Sequence, residues 1–115
     1  MVDWSDYVKN KIKEYNLCDV SFTKKGRLLS WLAKRNKCTL EDMKKEIYNL
    51  KDMVFAEKQE RTHNRKKEKR FRCYFVYSSS KGRCYVIKFN EKIKIITAFP
   101  LGRTTLRRYK KRFKY

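Results

Sequence analysis

Three arginines and a histidine in the second half of the chain are the side chains best suited to chemistry on a phosphodiester. Arg72 opens the apolar string that runs to Tyr77, Arg83 opens the next, Arg103 follows Pro100, and Tyr109 lies in a closing basic run. A guanidinium holds two phosphate oxygens through its planar fork, so arginines at the ends of neighbouring strands suit convergence on one phosphate. His63, in RTHNRKK, is the only imidazole. Its cationic neighbours favour the neutral ring, the form that accepts a proton. Glu57, at the end of a predicted strand, is the carboxylate that would partner it. Breaking RNA by transesterification needs a group to take the 2′-OH proton, cations to stabilise the phosphorane and an acid for the leaving oxygen. RNA supplies its own nucleophile, so this route requires no metal and no cofactor. Plainer roles compete at each position. Strand-end arginines solubilise an edge, a lone histidine in a basic loop is simply solvated, and Tyr109 shares a helical face with Leu106 and Phe113, which suits packing.

The charge balance points the same way. The chain has 115 residues, with 32 Lys and Arg against 12 Asp and Glu, a formal net charge of +20. No acidic residue follows Glu91. Clustered positive charge attracts polyanions and makes binding strongly salt-dependent. Nucleic acid, RNA or DNA, is the expected partner. The contact candidates are Arg27 and Arg35, two helical turns apart, then Arg65, Lys66, Lys67 and Arg70 in a basic stretch, and Arg107, Arg108 and Lys110 near the C-terminus. One of Tyr74, Tyr77 and Tyr85 at most is expected to stack on a base. Cys18, Cys38, Cys73 and Cys84 show no C-x-x-C spacing, so no metal site is expected and buried, uncharged thiols are. The Lys-, Ile- and Tyr-rich, Gln-poor composition is compatible with a thermophilic host, where a disulfide would also be tolerated. No apolar run is long enough to span a bilayer and no leader is apparent, so the expected location is the cytoplasm and no membrane partner is expected.

These residues need a scaffold. Residues 3–15 place Trp4, Tyr7, Val8, Ile12 and Tyr15 on one helical face. A break follows at 16–21, then a second helix over about 23–34 with Leu28, Leu29, Trp31 and Leu32. Thr39 with Asp42 three residues on has the spacing of a capping box and starts a third helix, whose stripe is Leu40, Met43, Ile47 and Leu50. MVFAE (53–57) reads as a strand, 58–70 as a basic surface loop, and 71–77, 84–89 and 93–99 as further strands. Turns fall at 78–82 and 90–92. Lys88 and Lys94 mark the wet face, which points Tyr85, Ile87, Phe89, Ile93 and Ile95 inward. Pro100 ends the sheet, and Thr104 or Thr105 caps a basic helix over 103–115. The expected fold is a single α+β domain: two or three N-terminal helices gathered on one side of a four-stranded antiparallel meander, then the basic C-terminal helix.

Three segments of this pattern resemble the RelE-type endoribonuclease toxins and their barnase-, EndoU- and colicin-like relatives, over roughly Ser21 to Tyr109. RLLSWLAKR is similar to the family's basic helix. NKCTLEDMKKEI is similar to its next helix, with Thr followed by acidic residues. RCYVIKFNEKIKIITAFPLGR is similar to its closing hairpin with an I-I-T-x-x-P-like string. The chain departs from the pattern in having Arg27 where relatives often carry His, and in its basic stretch from Lys58 to Arg70. The resemblance implies a metal-independent endoribonuclease, the toxin of a toxin–antitoxin pair, restrained by an acidic antitoxin-like protein. It also implies that Tyr109 matches a C-terminal tyrosine used as base or stacking platform. The alternative is a basic protein that binds nucleic acid without cutting it. Oligomeric state is not legible.

Overall fold

Alternating apolar residues in the second half build a sheet whose faces have different fates. The structure is a computed structural model and describes residues 2–63, 66–78 and 80–109. Helix α1 (Ser5–Ile12) buries Val8 and Ile12. Its start is tied to the sheet through Asp3 Oδ1, which accepts from the amides of Ser5 (2.9 Å) and Ala56 (3.1 Å). Helix α2 (Arg27–Asn36) ends on Lys37 in the left-handed region, φ 51°. Helix α3 (Leu40–Ile47) starts as expected, with Thr39 Oγ1 accepting from the Asp42 amide at 3.1 Å. A cap of this kind stabilises a helix by about 1 kcal/mol.

The sheet has five strands, not four, and is mixed: β1 (Val20–Phe22), β2 (Met53–His63), β3 (Lys66–Val76), β4 (Gly82–Phe89) and β5 (Ile93–Pro100) in the order β1-β5-β4-β3-β2. The extra strand lies in the segment read as a break. It pairs parallel with β5, Val20 opposite Ile93 and Phe22 opposite Ile95. Three residues are too few to display a period of two, which is why the strand is invisible in the sequence.

The basic stretch 58–70 is also not a loop. It continues β2 and β3 as an antiparallel ribbon that pairs out to His63 opposite Lys66. Beyond Phe71, β4 no longer accompanies β3. Both faces of such a ribbon are polar, so no apolar alternation betrays it. Opposite charges instead face each other across it, as at Glu60 and Lys69.

Helices α1 to α3 cover one face, over Phe71, Cys73, Phe75, Tyr85, Ile87, Ile93, Ile95 and Ala98, all buried. Helix α4 (Arg103–Arg108) lies on the other side, where Leu106 packs with Val54 and Val76, flanked by Phe55, Tyr74, Leu101 and Tyr109. The helices are therefore not all on one side. Neither Thr104 nor Thr105 caps α4; Gly102 occupies the cap position and no side chain bonds there. Gly82 is required where α4 meets the sheet, because a Cβ there would lie 2.8 Å from the Phe75 carbonyl oxygen and 2.9 Å from Leu106. Among the described residues, no helix is long and apolar enough to cross a membrane.

Candidate nucleic-acid interface

The part of the sheet face that α4 leaves open carries the basic residues. Strand alternation sends Phe71, Cys73 and Phe75 of β3 inward, and so sends Arg70, Arg72 and Tyr74 outward. On β4 the same rule turns Val86, which is buried, and Lys88, which is half-buried, to that side, and the β5 register puts Lys94 directly opposite Lys88 and Thr97 opposite Val86. Glu57 stands opposite Arg72 and Gln59 opposite Arg70. The face thus presents Arg70, Arg72, Lys88 and Lys94 against Glu57 and Glu68.

Glu68 answers two of these cations. Its Oε1 lies 3.0 Å from Lys88 Nζ and 3.4 Å from Arg70 Nε. Hydrogen bonds from Lys88 and then Arg70 hold its carboxyl below the usual range. Arg72 is half-buried, and its Nε is buried without a hydrogen-bond partner among the described residues. The neighbouring Tyr74 hydroxyl raises the Arg72 pKa further. Lys94 has no carboxylate within ion-pair distance among the described residues. Like charges directly opposite on adjacent strands repel; Glu68 offsets this at Lys88, and Lys94 is the less compensated of the two.

Arg83 has a different fate. It points to the helix-covered side, where its Nη1 pairs with both oxygens of Glu46 on α3, one of them at 2.6 Å. Its Nε donates to Asn36 Oδ1 at 3.1 Å and its Nη2 to the Asn36 carbonyl at 2.9 Å. The Tyr85 hydroxyl donates to the same Glu46 carboxylate. Buried Asn36 also donates to the carbonyls of Leu32 (2.9 Å) and Ala98 (3.1 Å), the latter on the half of β5 that β1 leaves unpaired. Burial opposes the Arg83 charge, but the bonds to Glu46 and Tyr85 outweigh it and raise its pKa. Burial first, and then Glu46, pushes the Tyr85 phenol up. Tyr77, also raised by burial, has a buried hydroxyl without a partner among the described residues. Glu46, Tyr77, Lys81 and Arg83 line a pocket of about 310 Å³ beside Pro100 and Leu101.

The expected convergence of Arg72, Arg83 and Arg103 on one phosphate therefore does not occur. Arg72 and Arg83 face opposite sides of the sheet, and Arg103 is exposed at the start of α4. Glu57 and His63 lie six positions apart along β2, which puts their Cα atoms about 20 Å apart, too far for the expected pairing. His63, Lys66 and Lys67 belong to the ribbon by their backbone pairing, their side chains lying outside the described set, as do Arg65 and Lys110 entirely. Tyr109 is half-buried, with its ring 6.4 Å from that of Tyr74, so it joins the Arg72 side of the sheet. Arg107 and Arg108 are exposed on α4, and Arg27 and Arg35 on α2. Tyr85 and Tyr77 are held in the Glu46 region, and Tyr74 lies on the other side of the sheet, packed with Phe55 and Tyr109 beside α4.

Sequence reasoning missed Glu46 and Asn36. The only trace of them was a carboxylate and an amide placed next to the apolar stripes of α2 and α3. The four cysteines are free thiols, Cys73 and Cys84 buried and Cys18 exposed. No cluster of three or more His, Cys, Asp or Glu capable of holding a metal occurs among the described residues. In comparisons with known proteins, no family model, no curated protein and no solved structure matches the chain.

Proposed function

We propose that this protein binds RNA through the open face of its sheet and the adjoining basic ribbon and α4. One observation carries this reading. Lys88 and Lys94 face each other across β4 and β5 beside Arg70 and Arg72, a group of cations that Glu68 offsets only in part and that is favourable against a phosphate backbone. The electrostatic term is indifferent to sugar, so DNA is the comparison ligand. Binding of a labelled RNA measured over a range of salt concentrations tests the reading. The Lys88→Gln, Lys94→Gln double variant should reduce the log–log salt slope by about 2, close to one per lost phosphate contact. An unchanged slope would remove the open face from the interface.

A second reading follows the RelE-like resemblance: metal-independent RNA cleavage, with an acidic antitoxin-like protein as restraint. The grouping that favours it is Glu46, Tyr77, Lys81 and Arg83 around one pocket, a carboxylate, a phenol and two cations. Incubation of labelled RNA in EDTA with the wild type and with Glu46→Gln separates the two. Cleavage lost in the variant supports an enzyme, whereas binding without cleavage in both supports the first reading.

A further inference from the structure

Helix α2 exposes two large apolar side chains, Leu28 at 54% and Trp31 at 51% of their surface. Neither belongs to the apolar core. They stand in a segment with no carboxylate. From Thr23 to Leu40 the charged residues are Lys24, Lys25, Arg27, Lys34, Arg35 and Lys37. Arg35, one turn after Trp31, lays its guanidinium carbon 5.2 Å from the Trp31 ring centroid and 5.8 Å from that of Phe99. Phe99 pairs with Cys84 in the β4–β5 register, on the same side of the sheet as Thr97 and Val86. It also lies in the half of β5 that β1 does not cover. Trp31, Arg35 and Phe99 therefore form a row that leads from α2 around the free edge of β5 to the open basic face.

We infer that this row is a stacking platform for an unpaired base, and that the RNA bound is single-stranded as it crosses the β5 edge. The inference rests on the RNA-binding reading above and adds the strand state of the ligand. A half-exposed indole offers a π face to any base, and a guanidinium already stacked on it is placed to meet the adjoining phosphate. A duplex keeps its bases inside and gains nothing from Trp31. An acidic protein segment with an apolar anchor would satisfy the same charges. The continuity of the row with the open basic face favours the nucleic acid.

Trp4, the other indole, is packed against Tyr7, Phe71 and Lys58, so Trp4→Phe isolates the emission of Trp31. That chain is titrated with a short unstructured uridine-rich RNA and, separately, with an RNA hairpin duplex. Affinities of Trp31→Ala and Trp31→Tyr are measured beside it. The platform predicts quenching of Trp31 by the single strand. It also predicts a loss of about tenfold in single-strand affinity for Trp31→Ala, little change for the duplex, and near-complete recovery in Trp31→Tyr. Single-strand binding that is undiminished in Trp31→Ala would overturn the platform and leave the RNA-binding reading standing. Failure of the parent chain to bind either RNA would overturn both. Quenching by an acidic, leucine-containing peptide but not by RNA would assign the patch to a protein partner and overturn the inference.

Discussion

Arg83 and Arg72 sit on neighbouring strands, and their surroundings could hardly differ more. Arg83 is enclosed, and most of its donors are matched by Glu46, Asn36 and Tyr85. Arg72 faces the other side with its Nε unpartnered among the described residues, near cations of which Glu68 answers only some. The first arrangement is what a fold uses to join α2, α3 and the sheet at one point. The second is matched less fully, by the Tyr74 hydroxyl and by Glu57 opposite, which suits a surface that meets a polyanion. Satisfaction of the guanidinium, more than its presence, separates an architectural arginine from a ligand-binding one.

The comparison breaks most visibly at the Glu46 network. Arg83→Ala should cost about 3 kcal/mol in urea denaturation, because it strands a partly buried carboxylate and removes the donors to the Asn36 Oδ1 and carbonyl. A loss within about 0.5 kcal/mol, the scale of an ordinary surface change, would show that the two arginines are equivalent after all.

The two buried thiols test how dry the sheet is on each side. Burial raises both Cys73, on the helix-covered face, and Cys84, on the other, the latter to about 12. The folded chain then keeps the Cys84 proton to about pH 12, while the unfolded chain releases it near pH 8.5. Stability should be complete below that lower value and fall as the pH rises through the window, by about 2 kcal/mol at pH 10 for one such thiol. Denaturation midpoints of wild type and Cys84→Ala at pH 7.5 and pH 10, both approximate settings, check this. A fall equally steep in the variant would mean that Cys84 is wet, and that the open face is hydrated through to the strand backbone.

The smallest effect sharpens the comparison from the open side. Lys94→Thr removes one of the two facing lysines and places a β-branched residue in a strand, so stability should rise by about 0.5 kcal/mol. RNA affinity should fall in the same variant. A gain in one with a loss in the other is the signature of charge retained for a ligand. A loss of both would make Lys94 a structural residue.

Much of the scaffold was legible. The lysines of β4 and β5 identified the wet face, and Tyr85, Ile87, Ile93 and Ile95 are buried as their alternation required. Thr39 and Asp42 located the start of α3. The errors have physical causes. The three residues of β1 are too short to carry a pattern, and the ribbon beyond Phe71 has no apolar face to alternate. In the sequence Arg72 and Arg83 each open an apolar string, and nothing local distinguishes them. Glu46 and Asn36 gain their importance from partners 37 and 47 positions away.

By itself, then, the sequence determined the elements with a buried side, the absence of close cysteine pairs and the excess of positive charge, since periodicity, spacing and composition are local properties. Tertiary structure alone decided which cations are neutralised by the fold and which remain for a ligand. Strand register sends Arg72 and Arg83 to opposite faces, and α3 brings Glu46 to only one of them. An ion pair depends on distance in space, and the chain order does not encode that distance until the sheet has formed.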